Sequence, residues 1–348
     1  MLYTTTYTID DLLRKALEAK ASDLHITVGI PPVLRIRGDL VPMENMERLR
    51  PEMTEALIHQ LVKDDKWSEL EQAGELDFSY SLGQVGRFRC TAFRQRGSYG
   101  LAIRLISPQV LPLEELGLPP VVRDLCDRRD GLILVTGPTG SGKSTTLAAM
   151  IDVINHQRHG VIITLEDPIE YIHRHAKCIV NQREVGSDTT SYASALKAAL
   201  RADPDVILVG EMRDLETIST ALIAAETGHL VLSTLHTRGG AQTIDRIIDV
   251  FPPHQQQQVR VQLAGVLQAV ISQQLLRTVD GKRMVPAVEV LIGTTAIRNL
   301  IREGKTHQIP AAIETGARFG MQTMESSLEQ LVNQGLVDPE ELRWRRRL

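Results

Sequence analysis

Four short runs in the second half of the chain are apolar almost without a break: Leu132–Thr136, Val161–Leu165, Val206–Val209 and Leu230–Thr234. A strand with one wet face alternates apolar and polar residues. A continuous run of this length predicts a strand covered on both faces, the pattern of a parallel sheet between helices. Between the runs the period lengthens to that of a helix. Leu147, Met150, Ile151 and Ile154 recur at i, i+3, i+4 and i+7, and Leu215, Ile218, Leu222 and Ala225 form a second stripe with Asp214 as its N-cap. From Gln255 onward the pattern reads as mostly helical.

The first hundred residues follow a different rhythm. Asp10–Ala21 places Leu12, Leu13, Ala16 and Leu17 on one face of a short helix. Alternation then predicts strands at Leu24–Val28, Val33–Arg37, Phe78–Leu82 and Arg87–Phe93, with helical character near Thr54–Lys63. This is an α+β domain on a mainly antiparallel sheet. Ser107–Pro120 holds four prolines, which deter regular structure, and two leucine pairs that give it something to pack. The expected organisation is an N-terminal domain over 1–106, a semi-rigid linker over 107–120 and an α/β domain with a helical C-terminal part over 121–348.

Composition narrows the function. Of 348 residues, 43% are hydrophobic, enough for two cores, while aromatics are only 4% and the net charge is −4. Both values argue against a nucleic-acid platform, which needs stacking rings and a basic surface. The basic tail Arg343–Leu348 reads as a solvated terminus. Cys90, Cys126 and Cys178 are far apart, so neither a disulfide framework nor a zinc site on paired cysteines is expected. No apolar run approaches the roughly 18 residues of a membrane-spanning helix, and the N-terminus lacks a signal-peptide pattern. The expectation is a cytoplasmic protein that meets a membrane only through a partner.

The chemistry begins at Gly137–Ser144, GPTGSGKS. Gly, four residues, Gly, Lys, Ser is a complete phosphate-binding loop, and it stands where one must: after an apolar strand and at the start of a helix. Successive backbone N–H groups from Gly137 through Pro138, Thr139, Gly140, Ser141, Gly142 and on to Thr145 make an anion cradle, proline excepted. Lys143 can reach the β- and γ-phosphates of ATP, and the Ser144 hydroxyl can bind Mg²⁺.

Hydrolysis also needs a group that orients or deprotonates water. Glu166 and Asp167 follow one core run, and Glu211 follows another. Carboxyl ends of strands surround the ligand in such sheets, so both glutamates point toward the phosphates. Gly210 occupies the place where an Mg²⁺-holding Asp usually ends the run. That makes Glu211 the candidate base or water-positioner, with Glu166 or Asp167 assisting. His229 and His236 bracket the Leu230–Thr234 run and would lie roughly 23 Å apart along an extended chain. His236, at the carboxyl end, is the better phosphate sensor. Arg87, Arg89, Arg94, Arg96 and Arg104 offer either a solvated basic face or a cation inserted into a neighbouring subunit's site.

Taken in order, ASDLHI at Ala21–Ile26, GRFR at Gly86–Arg89, the phosphate loop, LEDPIEY at Leu165–Tyr171, RADPDVILVGEMRDLET at Arg201–Thr217, ETGHLVLSTLHT at Glu226–Thr237 and AIRNLIRE at Ala296–Glu303 resemble the secretion-motor ATPases over nearly the whole chain. Within them the chain is most similar to the type IV pilus retraction family. The resemblance implies a PAS-like N-terminal domain, a RecA-like P-loop ATPase domain and a homohexamer. It implies in-trans roles for Arg89 and Arg104, acidic roles for Glu166 and Glu211, and histidine-box roles for His229 and His236. It further implies a cytoplasmic motor at the face of the inner membrane, acting through a membrane-embedded pilus platform protein, with no direct nucleic-acid contact. The segment RQRG is one residue shorter than the family's common form, so Arg94 and Arg96 take no assignment. The paired cysteines of the extension and secretion branch are missing, which favours retraction. A nucleic-acid translocase, an extension or secretion ATPase, and a nucleotide-binding regulator are the alternative readings.

Overall fold

A computed structural model of the chain describes residues 7–83, 85–106 and 110–340. The basic tail at 343–348 and the first three linker residues lie outside them. The chain divides into two compact units: Met1–Gln109 with Glu170–Ile172, and Val110–Ile169 with His173–Leu348.

The first unit is a six-stranded antiparallel sheet. Its strands are β1 (Asp23–Ile26), β2 (Val33–Ile36), β3 (Asp39–Pro42), β4 (Glu75–Leu82), β5 (Gly86–Gln95) and β6 (Ser98–Ile106), in the order β3-β2-β1-β6-β5-β4. Period-two alternation sends Phe88, Cys90, Leu101 and Ile103 to one face. There they meet Leu12, Leu13 and Ala16 of the helix Ile9–Glu18, and Leu57 and Ile58 of the helix Pro51–His59, in one core. Thr8 and Asp11 close a reciprocal cap on the first of these helices. The opposite face is polar. Register lines up Ser79, Arg89, Arg104, Asp23 and Arg35 across five strands.

The second unit is a seven-stranded sheet built from β7 (Gly131–Thr136), β8 (Gly160–Glu166), β9 (Cys178–Glu184), β10 (Val206–Val209), β11 (Leu230–Leu235), β12 (Leu267–Arg277) and β13 (Met284–Ile292). Its order is β13-β12-β7-β11-β10-β8-β9, parallel except at the β12–β13 edge. All four apolar runs are strands, and β7, β10 and β11 are buried at every position. The reason is visible within β7. Leu132 and Leu134 enter a core with the helices Leu215–Glu226, Gly240–Asp249 and Pro253–Val266. Ile133 and Val135 enter another with the helix Lys143–Gln157. Each large side chain so buried contributes about 1.5–3 kcal/mol. The segment after Pro112 is not an extended spacer: a 3-10 turn, Leu113–Leu116, buries Leu113 in the second of these cores.

The mostly helical reading beyond Gln255 needs correction. Helices Pro253–Val266, Thr295–Arg302, Ile309–Glu314 and Met324–Asn333 are present, but β12 and β13, of 11 and 9 residues, run between the first two. Val259, Leu263, Val266 and Val270 keep helical spacing straight into β12, so periodicity alone extends the helix. Pairing with β7 overrides it. A local signal does exist in Asp280-Gly281, a strong hairpin turn pair, whose Asp280 carboxylate accepts from Thr278 Oγ1 and the Lys282 N–H. Pro286 sits in β13, an edge strand, where a missing N–H is tolerated.

Candidate nucleotide site

Parallel register assembles the site at one edge of the sheet. Leu165, Val209 and Ser233 are aligned across β8, β10 and β11, and Leu235 is aligned with Thr136 of β7. The residues that follow these positions therefore emerge together: Glu166, Gly210–Glu211, His236 and the phosphate-binding loop.

The loop leaves β7 at Gly137, where φ is 142° and an added Cβ would lie 2.3 Å from the Gln273 carbonyl oxygen. No residue with a side chain fits there. Pro138, Thr139 and Gly140 are exposed, and Gly142 takes a left-handed conformation ahead of the helix Lys143–Gln157. That helix opens without a side-chain cap. Lys143 Nζ donates to the Gly137 and Pro138 carbonyls at 2.9 and 3.0 Å, curling over its own loop. Ser141 is buried and its Oγ has no hydrogen-bond partner among the described residues. Ser144 is exposed and Thr145 half-buried. A buried hydroxyl without a partner, in a glycine-curved loop at an uncapped helix start, fits an anion.

The acids are held differently. Glu166 Oε1 accepts from Thr164 Oγ1 at 2.6 Å and Gln182 Nε2 at 3.2 Å. Glu211, largely buried, meets Arg213 Nε at 2.7 Å and His236 Nε2 at 3.3 Å through one oxygen. Glu211 and His236 also border an open cleft of about 410 Å³ with Arg213 and Arg246 on its wall. The pairing of Glu211 with His236 follows from the adjacency of β10 and β11. His229 is not brought to this edge. Its Nδ1 lies 3.0 Å from the Ala224 carbonyl and 3.2 Å from Thr227 Oγ1, at the C-terminal end of the helix Leu215–Glu226. Arg89 and Arg104 face each other across β5 and β6 in the first unit. Arg104 is paired with Asp23 at 3.0 Å, and Arg89 has no ion pair among the described residues. Arg94 lies over the Tyr99 ring, and Arg96 occupies the β5–β6 turn with φ 47°.

Tyr192 is a further residue at this edge. Burial raises its phenol, and the carboxylates of Asp167, Glu211 and Glu166 raise it further. It also accounts for Gly210. A Cβ there would stand 2.8 Å from Tyr192 Oη and 3.1 Å from the Leu165 carbonyl, so an Asp at this position has no room.

In the AIRNLI segment, Ile297 and Ile301 are fully buried and Leu300 packs half-buried beside them. Arg298 donates to the carbonyls of Gly293, Gly265 and Leu267 at 2.8, 2.7 and 3.2 Å, pinning the helix Thr295–Arg302 to the end of Pro253–Val266.

The family model of the Type II/IV secretion system protein matches residues 4–342. This chain belongs to that family. It is 50% identical over 335 residues to the Type IV pilus retractation ATPase PilT of Pseudomonas aeruginosa, covering 96% of this chain and 97% of that protein. It is 48% identical to a twitching motility protein of Neisseria gonorrhoeae, covering 97% and 90%. A crystal structure of the pilus retraction motor PilT with bound ADP matches with a TM-score of 0.89 at 51% identity, covering 97% and 96%. The second unit therefore has the RecA-like fold of this family.

One half-buried carboxylate behind the loop gives a pH-dependent expectation. Glu289 of β13 accepts the Gly240 N–H at 2.7 Å. Burial pushes its carboxyl above the usual 4.5, and this bond offsets part of the rise. In the window above 4.5 the folded chain keeps a proton that the unfolded chain has lost, so this group's contribution falls as pH rises. Glu289→Gln keeps the acceptor and removes the ionisation. Its urea midpoint should exceed that of the wild type at neutral pH, with the difference closing toward pH 4.5. Equal differences at both pH values would exclude the linkage.

Proposed function

We propose that this chain is the ATP-hydrolysing motor of type IV pilus retraction, working as a homohexamer on the cytoplasmic face of the inner membrane. The reading is carried by one juxtaposition: a phosphate-binding loop and the Glu211–His236 pair leave the same edge of a parallel sheet, in a chain half identical to a retraction ATPase.

In this reading the backbone N–H groups of Gly137–Thr145 hold the phosphates and exclude water from one side. Lys143 exchanges its two loop carbonyls for phosphate oxygens. Ser144 is the protein ligand for Mg²⁺ entering with the nucleotide, and the hard oxygen donors at this edge suit that ion. Mg²⁺, when bound, neutralises phosphate charge as a Lewis acid. Glu211 accepts the proton of the attacking water, and Glu166 with Asp167 orients that water. His236, already bonded to Glu211, reports the γ-phosphate to the strand it terminates. His229 caps a helix at the far end. Arg89 and Arg104, on the first unit as a PAS-like domain, complete the neighbouring subunit's site. Work is delivered to a membrane-embedded platform protein. Nucleic acid has no part in it.

The test is to size the purified protein with and without a non-hydrolysable ATP analogue while recording phosphate release. A hexamer with turnover is expected. A monomer hydrolysing at full rate would remove the shared-site arginines from the scheme. A hexamer that binds nucleotide without releasing phosphate would make the chain a regulator instead.

A further inference from the structure

β12 runs beside β7, with Ser272 aligned to Thr136, so the chain that leaves β7 as the phosphate-binding loop passes against Gln273. Gln273 is only 2% exposed, and both ends of its amide are engaged. Its Oε1 accepts from Thr146 Oγ1 at 3.0 Å, and its Nε2 donates to the Ser141 carbonyl at 2.6 Å. Its backbone carbonyl closes against Gly137 and its Nε2 against Gly142, where an added Cβ would lie 3.0 Å away. One residue thus touches the start of the loop through its backbone, and the buried turn and the first turn of the helix after it through its side chain. The contact is polar and directional. An apolar residue could fill the same space but could not fix where the Ser141 carbonyl points. That carbonyl sets the orientation of the peptide whose N–H belongs to Gly142.

The neighbouring strand does the same for the other side of the site. Glu289 stands opposite Ser272 on β13 and holds the Gly240 N–H, which ends the loop following His236. Gly137, Pro138, Thr237, Gln273 and Glu289 line a cavity of about 60 Å³ between the two loops. The β12–β13 hairpin is the common anchor for both.

We propose that Gln273 is a positioning residue for ATP: from β12 it sets the curvature of the phosphate-binding loop and, with Glu289 on the same hairpin, the spacing between that loop and His236. The inference rests on the reading of Gly137–Ser144 as the ATP site. Gln273 touches no reacting atom in this scheme. It acts through the backbone it holds.

The test uses the full-length protein and a fluorescent ATP analogue. Gln273→Met keeps length and volume and removes both side-chain bonds. Gln273→Glu keeps the acceptor for Thr146 and removes the donor to Ser141. In both, the analogue's Kd and the KM for ATP should rise about tenfold or more, with kcat changing much less. The rise in thermal midpoint on adding nucleotide should shrink, whereas a purely structural defect lowers the midpoint with and without nucleotide alike. If Gln273→Met does not fold, the Gln273→Glu variant decides. Wild-type affinity in a folded variant of either kind would overturn the positioning role alone. A wild-type protein that fails to bind the analogue would overturn the ATP-site reading and this inference with it.

Discussion

Lys143→Ala is expected to abolish measurable ATP turnover, by about 10²–10³-fold or more in kcat/KM, while leaving the fold intact. The Lys143 ammonium is the cation that the loop itself supplies. It reaches the Gly137 and Pro138 carbonyls, the two that flank the entrance to the cradle. Phosphate oxygens carrying negative charge outbid neutral carbonyls for the same donor, so the side chain is poised to transfer. Its loss removes stabilisation from both the bound triphosphate and the charge that builds on it. The fold should survive, because Lys143 is only half-buried and alanine is a good residue for a helix start. Phosphate release and analogue binding should therefore both fall while the circular-dichroism spectrum is unchanged. Cells carrying the variant should keep pili that extend and do not retract. Turnover at the wild-type rate would end the motor reading.

Glu211→Gln should separate the two effects that Lys143→Ala combines. The amide keeps the size of the carboxylate and loses its charge and basicity. A positioned general base contributes about 10²–10⁴-fold, and kcat should drop within that range. Analogue affinity should stay near the wild-type value, since Glu211 lies beyond the loop and pairs with Arg213 and His236. Single-turnover measurements would then find nucleotide bound and uncleaved. If kcat were unchanged, the base would have to be sought at Glu166 or Asp167. If binding were lost along with kcat, the Glu211 network would be a support of the loop and not a participant in the chemistry.

Much of the fold was legible in the chain because of where water is excluded. A strand covered on both faces has no reason to alternate, so Val206–Val209 and Leu230–Thr234 announce themselves. In the first unit one face is polar, and Arg87–Phe93 alternates accordingly. The hairpin β12–β13 escaped for the complementary reason. Its glutamines and serine are satisfied by partners far away in sequence, Gln273 by Ser141 and Thr146, Ser272 by Thr136, so its polar residues look like those of a solvated helix. β3, β6 and β9 also lie outside the strands that the pattern predicts. Tyr99, Leu101 and Ile103 of β6 do alternate. In β9 the exposed Ile179 breaks the inside–outside rule.

The site divides along the same line. The chain alone determined that a triphosphate cradle exists, at Gly137–Ser144, because that chemistry is local: glycines, lysine and serine act within one turn of backbone. It also determined that acids and a histidine follow core strands. Tertiary structure decided which of these meet. The order β7-β11-β10-β8 puts Glu211 against His236, leaves His229 at the opposite edge, and makes Gly210 yield its space to Tyr192. Strand order is a matter of non-local pairing, and no residue spacing encodes which strand will lie beside which.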